Sequence, residues 1–126
     1  MDRKEFEALV LDTYGIKADY PFDEDFETGI FRHSLNQKWF AIAMKISKSR
    51  LGIKGDEIID IVNLKCNPEV IDSLVGYEAG IFRAYHMNKI HWLTVVLDLC
   101  DKDTISWLLD ISYDLTKPKI KKKREL

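Results

Sequence analysis

The densest run of chemically capable side chains is Tyr85, His86, Met87, Asn88, Lys89, Ile90, His91 and Trp92. It holds two aromatics, two imidazoles, an amide and an ammonium. Aromatic faces interleaved with Lys and Asn can stack bases and touch phosphates. The same composition suits a protein–protein hot spot, where Trp and Tyr are enriched. A structural use competes with both, the tryptophans being buried and their indole N–H groups bonded locally. His86 and His91 would need Cys66 or a carboxylate to complete a metal site, and no zinc-type spacing supports one. Cys66 and Cys100 lie 34 positions apart beside apolar runs, which predicts buried, inert thiols. There is no Gly-x-Ser-x-Gly elbow, and Gly52 and Gly55 lack the Gly-Lys-Ser/Thr of a phosphate-cradling loop. The expectation is a non-enzymatic protein with no cofactor and no metal.

Charge divides the chain unevenly. Its net value of −2 is the sum of a tail, 117–126, at +5 and a body, 1–116, at −7. A body of that sign repels polyanions over most of its surface, so any nucleic-acid contact must be local or made by the tail. Five acids crowd into 19–27, a pattern read as a solvated loop. Apolar residues make up 46% of the 126, enough for an ordinary core and too many for a disordered chain. No apolar run approaches the roughly 18 residues of a membrane span, and the start of the chain lacks a signal-peptide pattern. A cytoplasmic protein without membrane contact is expected, comprising one domain at 1–116 and a basic tail at 117–126.

The elements that must position the cluster follow from periodicity. Phe6, Leu9, Val10 and Tyr14 share one stripe of a helix from Arg3 to Tyr14, with Asp2 and Glu5 as a capping box and Gly15 as its left-handed stop. Strands are predicted at 29–34, 39–46 and 57–65. In the second, Phe40, Ile42, Met44 and Ile46 share one face, with Trp39, Ala41, Ala43 and Lys45 on the other. Val62 and Leu64 point inward from the third, with Asn63 and Lys65 outward. The turns between these strands are too short for crossover helices, so the strands run antiparallel. Asn67 and Pro68 start a short helix that Gly76 ends. A weak strand at 81–84 and a strong one at 91–97 precede a last helix, from Asp103 or Thr104 to Leu115. The order α-βββ-α-ββ-α implies an α+β fold, a two-layer antiparallel sheet with helices on one face. The other face is then open to water or to a partner, and alternation allows Trp92 to join Trp39, Asn63 and Lys65 there.

Several stretches carry a family resemblance: Asn36-Gln37-Lys38-Trp39-Phe40, Val62-Asn63-Leu64-Lys65-Cys66-Asn67-Pro68-Glu69, Tyr85-His86-Met87-Asn88-Lys89 with His91-Trp92, and Ser112-Tyr113-Asp114-Leu115. In this order, after an N-terminal helix followed by Tyr20-Pro21-Phe22, the chain resembles the MmcQ/YjbR family across about residues 1–116. The resemblance implies a small α+β protein, similar in topology to secretion chaperones. It also implies DNA binding through a double-wing arrangement, and it brings no catalytic residues. The expected DNA contacts are Trp39, Lys65, His86, Asn88, Lys89, His91 and Trp92, joined by the tail cations Lys121, Lys122, Lys123 and Arg124. The alternative is a protein-interaction or chaperone-like module, homodimeric or binding a peptide through the open sheet face.

Overall fold

The computed structural model describes residues 1–119, so Lys121, Lys122, Lys123 and Arg124 lie outside the described residues. Helix α1 (Arg3–Tyr14) starts at a reciprocal cap. The Glu5 amide donates to the Asp2 carboxylate at 2.8 Å, and the Asp2 amide donates to the Glu5 carboxylate at 3.3 Å. Strands β1 (Gly29–Arg32), β2 (Trp39–Ser47) and β3 (Ile58–Lys65) follow, then helix α2 (Pro68–Leu74), strands β4 (Ile81–Arg83) and β5 (Trp92–Val96), and helix α3 (Lys102–Thr116). Asn67 takes the N-cap position of α2 without a side-chain bond, whereas Asp101 caps α3 by accepting from the Asp103 and Thr104 amides.

The five strands form one antiparallel sheet in the order β1-β2-β3-β5-β4. The last four residues of β5 are buried, which suits an interior position. The three-residue β4, with Arg83 exposed, closes the edge, where a short charged strand discourages pairing with other chains. All three helices pack on one face. Phe6 and Val10 of α1, Ile71 of α2 and Ile105, Leu108 and Leu109 of α3 meet Ala41, Ala43, Val62, Leu64, Leu93 and Val95 of the sheet. The α+β architecture and its element order are therefore as expected.

Phe40 departs from the predicted alternation. The β1–β2 register passes from Phe31 opposite Ala41 to Arg32 opposite Trp39, leaving Phe40 as an extra residue in a β-bulge. Phe40 consequently joins Ala41 and Ala43 in the helix-side core, where it packs on Tyr14, His33 and Tyr113. Trp39 is turned by the same bulge toward the face of Ile42 and Met44. Simple alternation had grouped Phe40 with Ile42 and Met44, and Trp39 with Ala41 and Ala43; the bulge exchanges these partners, and Trp39 lies on the helix-free face where it was expected.

The face without helices is only partly open. Register partners form a row across all five strands: Ile30, Ile42, Asn63, Thr94 and Phe82. A second row holds Met44, Ile61 and Val96. Ile46, Ile61 and Val96 are buried there beneath Leu51, from a 3-10 turn at Lys48–Leu51, and beneath Tyr85. Such a row cannot be left bare at low cost, so these segments fold over one part of it.

Candidate functional site

The segment joining β4 to β5 crosses this face and is fastened by the two polar residues of the central row. Thr94 donates its hydroxyl proton to Asn63 Oδ1, Asn63 Nδ2 donates to the Tyr85 carbonyl at 2.9 Å, and the Tyr85 amide donates to Thr94 Oγ1 at 2.8 Å. Asn63 and Thr94 are fully buried, and buried polar groups persist when bonded in this way. The remaining loop is held by its own side chains. Asn88 Oδ1 accepts from the Ile90 and His91 amides, and Lys89 Nζ donates to the Ala84 carbonyl at 2.7 Å. His86 sits in the left-handed region (φ 58°) with its ring against Tyr85 at 3.9 Å between centroids.

Two hollows flank Tyr85 and His86, and both residues line each of them. The first is a groove of about 510 Å³ on the sheet face. Ile30, Ile42 and Ile46 form its apolar floor, and Trp39, Met44, Phe22 and Met87 add aromatic and thioether walls. Trp39 is 37% exposed, so its ring is available to a ligand. The second hollow, about 500 Å³, has Leu51, Val75 and Phe82 as its apolar part and Arg50, Arg83, His86 and Lys89 as its polar part, with no carboxylate in its lining. Arg83 also pairs with Asp72 at 2.8 Å on the exposed surface. Another hollow, about 350 Å³ between α1 and residues 17–20, shares no residue with these two.

The groove lining holds one acid, Asp25, and one cation, Lys45, which pairs with Asp60 at 3.1 Å. The acidic 19–27 segment reaches one wall through Phe22 and Asp25. Asp25 is itself committed: it accepts from the Glu27 and Thr28 amides and from the Thr28 hydroxyl, and these bonds hold its carboxyl below the usual carboxylate range. The Arg50, Arg83 and Lys89 cations lie beyond the opposite wall.

The residues singled out in the sequence are thus only partly assembled. Trp39 and His86 share the groove, and His86 and Lys89 share the basic hollow. Lys65 and Trp92 are register partners on β3 and β5 and are both half-buried. Asn88 and His91 line neither hollow, and Asn88 shapes the loop. Arg50, Arg83, Phe22 and Met44 had no periodic signal connecting them to the cluster; the turn at Lys48–Leu51 and the β4 edge bring them in. His33 belongs elsewhere. Its Nε2 lies 2.9 Å from Thr116 Oγ1 beside Phe40 and Tyr113, and burial pushes its pKa down. Among the described residues, no group of three or more His, Cys, Asp or Glu could hold a metal. No helix among them is long and apolar enough to cross a membrane.

The family model described as YjbR matches residues 11–115. The chain belongs to the YjbR family. It is 37% identical to the uncharacterized protein YyaQ of Bacillus subtilis (strain 168) over 118 residues, spanning 93% of this chain and 99% of that one. To the uncharacterized protein YjbR of Escherichia coli (strain K12) it is 33% identical over 82 residues, 64% of this chain and 70% of the other. A crystal structure of a Pseudomonas syringae protein superposes with a TM-score of 0.89 at 39% identity, covering 93% of this chain and all of that chain. A Deinococcus radiodurans crystal structure gives 0.66 at 26% identity, covering 90% and 77%. The YjbR match spans all five strands, α2 and the Tyr85–His86 crossing, so both hollows lie within the family region.

Proposed function

We propose that this YjbR-family chain is a non-enzymatic DNA-binding protein whose contacts centre on Tyr85 and His86. The observation that supports it is the shared wall: the basic hollow and the Trp39 groove meet at the same two residues. Arg50, Arg83 and Lys89 supply phosphate contacts that position a strand, and Trp39 supplies an aromatic face for a base. Asp72 offsets Arg83 at 2.8 Å, so Arg50 and Lys89 carry the local attraction against the −7 body, while the acidic 19–27 segment reaches the groove through Phe22 and Asp25. Lys121, Lys122, Lys123 and Arg124 add affinity without discrimination, as cations do on any polyanion.

The test is fluorescence anisotropy with labelled DNA across a salt series. It compares the full chain with a full-length variant carrying Gln at 121, 122, 123 and 124. This tail-substituted variant, whose 117–126 segment falls from +5 to +1, is expected to bind still. Arg50→Ala in that background should weaken it further and make the log–log salt slope shallower by about 0.7–0.9, the value of one lost phosphate contact. A tail-substituted chain that no longer binds would confine the activity to a nonspecific polycation, and the apolar groove would then point to a protein partner.

A further inference from the structure

We infer that the preferred ligand is an unpaired nucleotide, its base lying in the sheet-face groove and its phosphate on the Arg50 and Lys89 side. This rests on the DNA-binding reading and narrows it to single strands. Stacking requires a bare base face, and in a duplex both faces of each base are covered by its neighbours. A single aromatic wall such as Trp39 therefore favours bases that are already unstacked, because extracting one from a duplex carries an added unpairing cost. The helices point to the same substrate. All three pack on the far face of the sheet, and the segment joining β4 to β5 lies across this one, fastened to Asn63 and Thr94, so the surface presents neither a helix nor a projecting two-stranded ribbon to a major groove.

The charge arrangement fixes which way the nucleotide lies. Lys45 also lines the groove but is paired with Asp60 at 3.1 Å, so phosphate is drawn beyond His86 to the Arg50 side rather than to the Phe22 and Asp25 side, where the acidic 19–27 segment stands. The base must then point from the His86 side toward Trp39. Met44 and Met87 make the lining adaptable, since thioethers fill irregular gaps without demanding one shape. The groove's size, about 510 Å³, falls in the range of small-ligand sites, roughly 300–1,000 Å³. Little base preference should result.

The experiment uses the full chain with three probes of equal length: an oligothymidine, the same strand with abasic sites, and a duplex. The oligothymidine is expected to bind about tenfold or more tightly than the abasic strand, the effect of one lost stacking contact. Trp39→Ala should erase that difference, while Trp39→Phe, which keeps an aromatic face, should retain most of it. A duplex or abasic strand binding as tightly as the oligothymidine would overturn the inference and leave DNA binding standing. Failure of every probe to bind would overturn both readings. Thymidine monophosphate as competitor separates two sources of the same chemistry. Displacement at micromolar concentration assigns the groove to free nucleotides, and none at millimolar concentration assigns it to strands.

Discussion

Phe40 and Lys65 are joined through a side chain of α3. The Ser112 hydroxyl donates to the Phe40 carbonyl at 2.5 Å and accepts from the Lys65 amide at 2.8 Å, just where the β2–β3 register ends at Ala41 and Leu64. The bulge that turns Phe40 into the core leaves these two backbone groups to be satisfied, and Ser112 satisfies both. One fully buried hydroxyl thus ties the helix layer to the sheet end that carries Trp39.

Replacing Ser112 with Ala should cost about 2–4 kcal/mol, because two backbone groups lose their partner in a dry site. Urea denaturation monitored by tryptophan fluorescence measures this. A loss under 0.5 kcal/mol, the size of an ordinary surface change, would mean that water or a local shift replaces the hydroxyl.

Asn63→Leu should destabilise by about 2–3 kcal/mol, since the Tyr85 carbonyl and the Thr94 hydroxyl each lose a buried partner. Its more telling effect is local. Amide hydrogen exchange across 84–91 should accelerate more than exchange in α1, and uniform acceleration would contradict the fastening role.

His33 makes stability depend on pH. Burial beside Phe40 and Tyr113 lowers its folded pKa from 6.5, so the unfolded chain binds the proton more readily. This contribution is complete above the unfolded value and declines as pH falls below it toward the depressed folded value. Urea midpoints at about pH 7.5 and 5.5, which bracket the ordinary histidine value, should differ more in the parent chain than in His33→Gln. Equal differences would show that His33 titrates normally.

Two glycines should respond unequally to alanine. Gly15 has φ 70° with open space around it, so Gly15→Ala should cost about 1–2 kcal/mol of backbone strain. Gly80 has φ 80°, and a Cβ there would meet the Cys100 backbone nitrogen at 2.7 Å, so Gly80→Ala should cost more. Thermal unfolding ranks the two, and the reverse order would contradict the packing.

Both thiols should be silent in the folded protein. Cys66 and Cys100 are buried, and burial, aided by Asp101 and Glu78, pushes Cys100 up to about 11. Ellman's reagent at neutral pH should react quickly only after denaturant is added, because the thiolate is the reactive form.

The element order and most strand faces were legible in the sequence. Helix and strand periodicities are written residue by residue, and the Asp2–Glu5 cap is a local pattern. Val62, Leu64, Leu93 and Val95 alternate into the core as their spacing required. Tyr85, His86 and Trp39 were also visible, because a cluster of rare side chains needs no fold to be noticed.

Only the tertiary structure decided how those residues are used. A bulge has no local signature at Phe40; it depends on the register of β1 against β2 and on Ser112, 72 positions away. Asn88 looks like a ligand-binding group in the sequence, yet it shapes the turn, and Lys89 is anchored on the Ala84 carbonyl of its own loop, which holds its charge at the basic hollow. Arg50 and Arg83 become neighbours of His86 only when the Lys48–Leu51 turn and the β4 edge converge. Periodicity records which face each residue takes along its own element. Which elements meet at one hollow is set by long-range packing, and that requires the whole chain.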